Sequence, residues 1–203
     1  TGTYAFMPKQ VGDYPNYTYQ ILKVNIASAS VVDTWTDPDL TSADGQMLWA
    51  ADGASFYLIS STGSYPNYET TVFEIDASTG ATTAYGSVDI GYSPGSTSAF
   101  DPATGRMFIP QSPMNGGTFH FLVFDTSTNT FSSVSYSGTG ISSACAFAAG
   151  VLACAFDDTT PYLATFDAAG AVTGTLNLDP AVDGAEAVAA AMAAAEAGLV
   201  VGA

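Results

Sequence analysis

The stretch GDYPNYTYQILKVNIASASV at 12–31 returns as GSYPNYETTVFEIDASTGAT at 63–82. A chain that repeats a motif at this period is assembled from copies of one small unit, and the shared features of the copies define it. Each copy holds an alternating apolar run, then an acid or amide, then a turn rich in Ser, Thr, Gly or Asn, then a second alternating run. Two weaker copies follow. The series reads ILKVNIASAS (21–30), VFEIDASTGA (72–81), FLVFDTSTNT (121–130) and LATFDAAGAV (163–172). Its anchors Asn25, Asp76, Asp125 and Asp167 lie 51, 49 and 42 residues apart. The side-chain oxygen of the anchor caps the tight turn, and Gly80 or Asn129 supplies the positive φ. Alternation on both sides of a tight turn predicts a hairpin.

A second hairpin precedes the first. Trp49, Phe100 and Met192 each stand seven residues before an apolar position, Phe56, Met107 and Leu199, and Phe147 faces Leu152 across a tighter turn. Four short strands in each unit of 42 to 51 residues predict an all-β chain, a β-propeller of four-stranded antiparallel blades. One small twisted sheet cannot cover its own two faces, so the blades must stack. The expected layout is one domain over 1–203. Blade one (1–40) lacks its first strand; blade two is 41–92, blade three 93–138 and blade four 139–180, with terminal strands in 181–203. About four blade repeats are present. The chain opens on TYAFMP, a second strand, and closes on AVAAAMAA (187–194) and LVVGA (199–203). The expectation is an incomplete propeller or one completed by a neighbouring chain. Over 184–197, GAEAVAAAMAAAEA has the propensity of a helix. Its seven-residue register with the other units favours a strand.

The turns DASTGATTAYG, FDPATGRMFIP and FDTSTNTFSSV resemble those of YVTN-type, quinoprotein-like and Kelch-like propeller blades. The resemblance covers most of the chain and implies the fold. The paired Gly and Trp of Kelch blades and the tryptophan docking motif of quinoprotein blades are absent, so no catalytic residue is carried over.

Charge narrows the function. Three Lys and Arg stand against 19 Asp and Glu, for a net charge of −16. Nucleic acid needs clustered cations and is excluded on that ground; an anionic membrane surface or a phosphorylated substrate is disfavoured for the same reason. The longest apolar runs are too short to span a bilayer. A start at Thr1 without an initiator Met or signal segment fits a processed protein or part of a longer one. Few lysines, many Ser and Thr, and a sequon at Asn16 point to an extracellular or cell-surface setting.

Candidate sites are few. Cys145 and Cys154 face each other if their hairpin turns on Ala149-Gly150, which predicts a cross-strand disulfide; a bulge at Gly150 would misalign them. His120 stands alone in TFHFLVF, opposite in face to Phe119 and Phe121, and supports no triad. Lys9, Lys23 and Arg106 are too scattered for an anion site, and Arg106 is expected to pair with a carboxylate. Asp33, Asp37, Asp39 and Asp44 are weak calcium candidates in a loop that does not match an EF-hand; no other cofactor is implied. Tyr14, Tyr17, Tyr65 and Tyr68, in the two YPNY loops, are candidate contacts for proteins or sugars. The expected function is a non-enzymatic structural or interaction module of a surface, matrix or appendage assembly. It would join copies of itself or another surface protein through terminal strands and Tyr loops. The alternative is a carbohydrate-binding or glycosidase-like propeller using Asp and Tyr.

Overall fold

The computed structural model describes residues 4–13, 18–37, 40, 47–49, 54–64, 67–86, 93–94, 98–112, 119–136, 141–148, 150–157, 160–167 and 169–177. These residues are strands and the turns between them. The chain divides into two compact units. One comprises 1–64 with 69–87, and the other 65–68 with 88–203.

The first unit holds two antiparallel sheets. Strands β1 (Tyr4–Val11), β2 (Thr18–Asn25) and β3 (Ser30–Thr36) lie in the order β1-β2-β3. Strands β4 (Met47–Trp49), β5 (Ser55–Ser64), β6 (Asn67–Asp76) and β7 (Thr82–Gly86) lie in the order β4-β5-β6-β7. Period-two alternation decides which side chains meet. Phe6, Ile21 and Trp35 project from one face of the first sheet onto Phe56, Leu58, Phe73 and Ile75 of the second. The Phe6 ring lies 4.7 Å from Phe56 and 5.4 Å from Trp35.

The second unit repeats the plan. Its strands are β8 (Ser93–Pro94), β9 (Ala99–Asp101), β10 (Arg106–Ser112), β11 (Phe119–Asp125) and β12 (Thr130–Tyr136), followed by a second sheet. One edge of β10 pairs with β11, which pairs in turn with β12. The other edge is shared by the two short pieces, β8 at one end and β9 at the other. Strands β13 (Ile141–Ala148), β14 (Val151–Asp157), β15 (Tyr162–Phe166) and β16 (Val172–Asn177) form the last sheet in chain order. Phe119 and Phe121 sit edge-on to Phe156 and Phe166, each pair 5.0 Å apart, and all four are fully buried. Each such phenyl ring contributes about 1.5–3 kcal/mol of hydrophobic free energy, and edge-to-face geometry adds to it.

The strand registers agree with the repeat. Trp49 pairs with Phe56, Phe100 with Met107 and Phe147 with Leu152, as the seven-residue spacing and the tighter turn require. Met192, Leu199, the terminal strands and the 184–197 segment lie outside the described residues. One expectation is corrected. Strand β5 runs to Ser64 and β6 begins at Asn67, so only residues 65 and 66 lie between them. Tyr68 therefore belongs to β6 and not to a loop.

The turns follow one chemistry. Asp76 Oδ1 accepts the N–H groups of Ser78 and Thr79 and the Ser78 hydroxyl, at 2.8, 2.7 and 2.6 Å. Asn25 takes the Ser28 N–H, Asp125 the Ser127 N–H, and Asp167 those of Ala169 and Ala171. Four residues after its anchor, each of the first three turns has a left-handed residue: Ala29, Gly80 and Asn129, at φ 51°, 74° and 55°. Two of these turns lie beside a neighbouring turn and are tied to it. The Ala77 N–H donates to Ala54 O, and the Thr126 N–H donates to Gly105 O, each at 2.9 Å.

The glycines of two turns also press on the adjacent sheet. A Cβ at Gly80 would overlap the Trp35 indole, and one at Gly170 would come within 2.6 Å of Val134 Cγ1. Trp35 and Val134 hold equivalent register positions, opposite Ile21 and Phe121. Gly80→Ala should thus combine left-handed strain with a steric clash and cost about 2–4 kcal/mol. Ala29 carries the strain without the clash, so Ala29→Gly should gain about 0.5–1 kcal/mol. Urea melts of the two variants check both signs.

Candidate functional site

The richest cluster of chemistry in the described residues surrounds Lys23, on β2. Lys23 follows Ile21 by two residues and therefore projects from the same face, into the apolar seam between the two sheets of the first unit. Its ammonium lies 4.9 Å from the Tyr4 ring centroid, 5.4 Å from Trp35 and 5.7 Å from Phe6. It donates a 3.0 Å hydrogen bond to Ala77 O in the turn of the second sheet. Each ring offers its negative face to the cation, worth about 0.5–2 kcal/mol depending on desolvation. Trp35 is oriented in turn by its Nε1–H, which donates to Asp33 Oδ2 at 2.9 Å, and Asp33 Oδ1 accepts the Thr34 N–H. One of the chain's three cations thus links two sheets. The sequence signals only its place, a lysine on the same strand face as Ile21; the partner in the second sheet lies 54 residues away and leaves no local signal.

The expectation for Arg106 holds. Its Nε lies 3.7 Å from Asp125 Oδ2, directly across the β10–β11 ladder. The Asp125 carboxyl is held below the usual range mainly by the Ser127 hydroxyl and N–H, with Arg106 a smaller contributor. The Asp76 carboxyl is lowered further, first by the Ser78 hydroxyl and then by the Thr79 and Ser78 N–H groups. Asp101, buried at the β9–β10 turn, accepts the Ala103 N–H and the Thr104 hydroxyl. It is a further turn anchor, which alignment on the longer hairpins misses. Burial raises the Tyr85 phenol, which donates to Glu74 Oε2 at 3.0 Å and so stays protonated.

Cys145 and Cys154 form the expected disulfide, S–S 2.05 Å, as directly paired residues of β13 and β14. The register irregularity of this hairpin lies at Ser142/Ala144, well away from Gly150, so the cysteines stay opposed. Both are buried beside Phe156 and Phe166. Closing so short a loop restricts the unfolded chain by roughly 2–3 kcal/mol.

His120 lies on the face opposite Phe119 and Phe121, and its Nδ1 is 3.1 Å from Ser135 Oγ on β12. Of the calcium candidates, Asp33 is engaged with Trp35 and Thr34, and Asp37 O accepts the Leu40 N–H. Asp39 and Asp44 lie outside the described residues, as do Tyr14, Asn16, Tyr17 and Tyr65. Among the described residues, no three His, Cys, Asp or Glu side chains are grouped to hold a metal ion.

The end of the reverse face of the first sheet that holds Ala5 and Met7 is mostly apolar, while Lys9, Gln20 and Thr36 form the row beyond it. Ala5, Val24 and Val31 form one cross-strand row; Met7, Leu22 and Thr34 form the next. Met7 is 52% exposed and Val31 54%.

No family model and no curated protein matches this chain. Solved structures do, and they define its class: it has the fold of β-propeller proteins. Sqt1 of Saccharomyces cerevisiae superimposes with TM-score 0.55 at 11% identity, over 87% of this chain and 52% of its own. The Dos1 propeller gives TM-score 0.55 at 10% identity, over 79% and 43%. Puromycin hydrolase gives 0.52 at 18%, over 87% and 28%. The chain therefore spans about half or less of the length of these propeller-containing chains, and at such identities the likeness is one of fold.

Asp76 and Asp125 set a pH dependence. Their proton affinity is lowered by folding, so their contribution is complete above the ordinary value of 3.8 and is lost as pH falls below it. The urea midpoint should fall below about pH 4. Asp76→Asn keeps the acceptor, as Asn25 does naturally, so its deficit relative to the native chain at pH 6 should shrink on acidification to pH 3. A deficit that stays constant with pH would contradict this account.

Proposed function

We propose that this chain is a non-enzymatic interaction module of the propeller class that holds other proteins in an extracellular surface, matrix or appendage assembly. The single observation that carries the reading is the apolar patch on the reverse face of the first sheet, where Met7 and Val31 stand more than half exposed among Ala5, Leu22 and Val24. Clustered exposed apolar residues on a soluble domain favour a partner surface. Polar side chains of the described residues support the same reading. Lys23 is tied between rings, Arg106 is paired with Asp125, and the turn carboxylates are engaged by backbone N–H groups.

The disulfide favours an oxidising compartment. Glycosylation of Asn16, calcium among Asp33, Asp37, Asp39 and Asp44, and contact through Tyr14, Tyr17, Tyr65 and Tyr68 belong to this proposal. So does the likeness to YVTN-type, quinoprotein-like or Kelch-like blades in particular. The alternative, carbohydrate binding or a glycosidase-like site, rests on the acidic and Tyr-rich composition alone.

A photo-crosslinking residue placed at position 7 or 31 tests the proposal in extracts of the producing cells or their surroundings. Protein cross-links that depend on those positions, and that Val24→Glu abolishes, are expected. No protein adduct at either position, together with sugar-induced change in Tyr or Trp fluorescence, would replace the reading with the alternative.

A further inference from the structure

We infer that the seam between the two sheets of the second unit gates the Cys145–Cys154 bond: thiol–disulfide exchange reaches it only when β13–β16 parts from the sheet of β8–β12. The inference goes beyond the proposed interaction role and does not depend on it.

The place of the bond in the register carries the inference. Cys145, Cys154 and Ala164 form one cross-strand row. The row of Phe147, Leu152 and Phe166 lies on one side of it, and the pair Phe156 and Tyr162 on the other. These rows share the face turned to the other sheet, whose Phe108, Phe119 and Phe121 complete the same apolar cluster. Leu152, Cys154, Phe156, Ala164 and Phe166 are at most 1% exposed, and Cys145 is 5% exposed. The hairpin turn offers no side entrance, because Phe147 stands between it and the bond and stacks on Phe108 at 6.1 Å with planes 5° apart.

The chemistry of exchange supplies the gate. A thiolate of the reductant attacks one sulfur, and the other leaves as a thiolate. A second thiol of the reductant then resolves the mixed disulfide, so the reductant ends oxidised and the protein holds two thiols. An anion entering an apolar seam loses its hydration, which is costly without a partner charge. The docked sheets therefore exclude both the attacking and the leaving thiolate. Re-oxidation starts from a thiolate at the same two sulfurs and meets the same barrier. The gate works in both directions: a unit that docks oxidised stays oxidised, and one that docks reduced stays reduced, until the seam opens.

Reduction of the purified full chain by excess dithiothreitol, followed by alkylation and mass measurement, tests this. The native bond should react roughly a hundredfold or more slower than the same bond in the chain unfolded in urea. Phe121→Ala changes the facing sheet and not the hairpin, and Phe121 lies against Phe166. It should speed reduction of the folded chain roughly a hundredfold. Should that variant fail to fold, as circular dichroism would show, the milder Val123→Ala on the same strand face should speed it at least several-fold. Val172→Ala alters an exposed position in the sheet that carries the bond and should leave the rate within about twofold. A native bond reduced as fast as in the unfolded chain overturns the inference. So does slow reduction that Phe121→Ala and Val123→Ala leave unchanged, since the hairpin would then open without the seam.

Discussion

A sheet one layer thick leaves both faces to water unless another sheet lies on it, and that constraint governs this protein. In the first unit Phe6, Ile21 and Trp35 become core only because Phe56, Phe73 and Ile75 approach them. In the second, Phe119 and Phe121 depend in the same way on Phe156 and Phe166. Neither sheet of a pair has a buried face of its own. Stability in such repeats is a property of interfaces between neighbours as much as of the units themselves.

The turns serve those interfaces. An Asp or Asn side chain satisfies backbone N–H groups that a tight reversal leaves without ladder partners. The left-handed residue that completes the reversal sits at the sheet margin. At Gly80 and Gly170 it has no side chain, which lets Trp35 and Val134 of the adjacent sheet lie against the backbone. Lys23 adds a polar tie across the seam of the first unit, its stem among apolar groups and its ammonium shared by three rings and Ala77 O. A chain with three cations has committed one of them to an intersheet contact.

Much of this is legible in the sequence because it is local. The anchors Asp76 and Asp125, the turn residues Gly80 and Asn129, and the seven-residue hairpin registers follow from chemistry confined to a few neighbouring positions. The Cys145–Cys154 pairing follows from hairpin arithmetic of the same kind. What escapes sequence reasoning is set by distance or by competition. The Lys23 contacts join residues up to 54 positions apart, which no local pattern reports. Ala29 adopts a positive φ that its side chain disfavours, because hairpin closure overrides residue preference there. Pro66 and Asn67 signal a turn that would leave Tyr68 in a loop, yet β6 already begins at Asn67. The reverse face of β1–β3 emerges only once register places Met7, Leu22, Val24 and Val31 side by side.

That face links the fold to the proposed role, because the packing that buries one side of β1–β3 leaves Met7 and Val31 exposed on the other. The central claim beneath all of this is that neighbouring sheets hold one another folded, and amide hydrogen exchange measures it most directly. Phe56→Ala, which removes about 3–5 kcal/mol from the seam, should speed exchange in β1–β3 as well as in β4–β7, although the substituted residue lies in β5 alone. Faster exchange confined to β4–β7, with β1–β3 unchanged, would contradict the account.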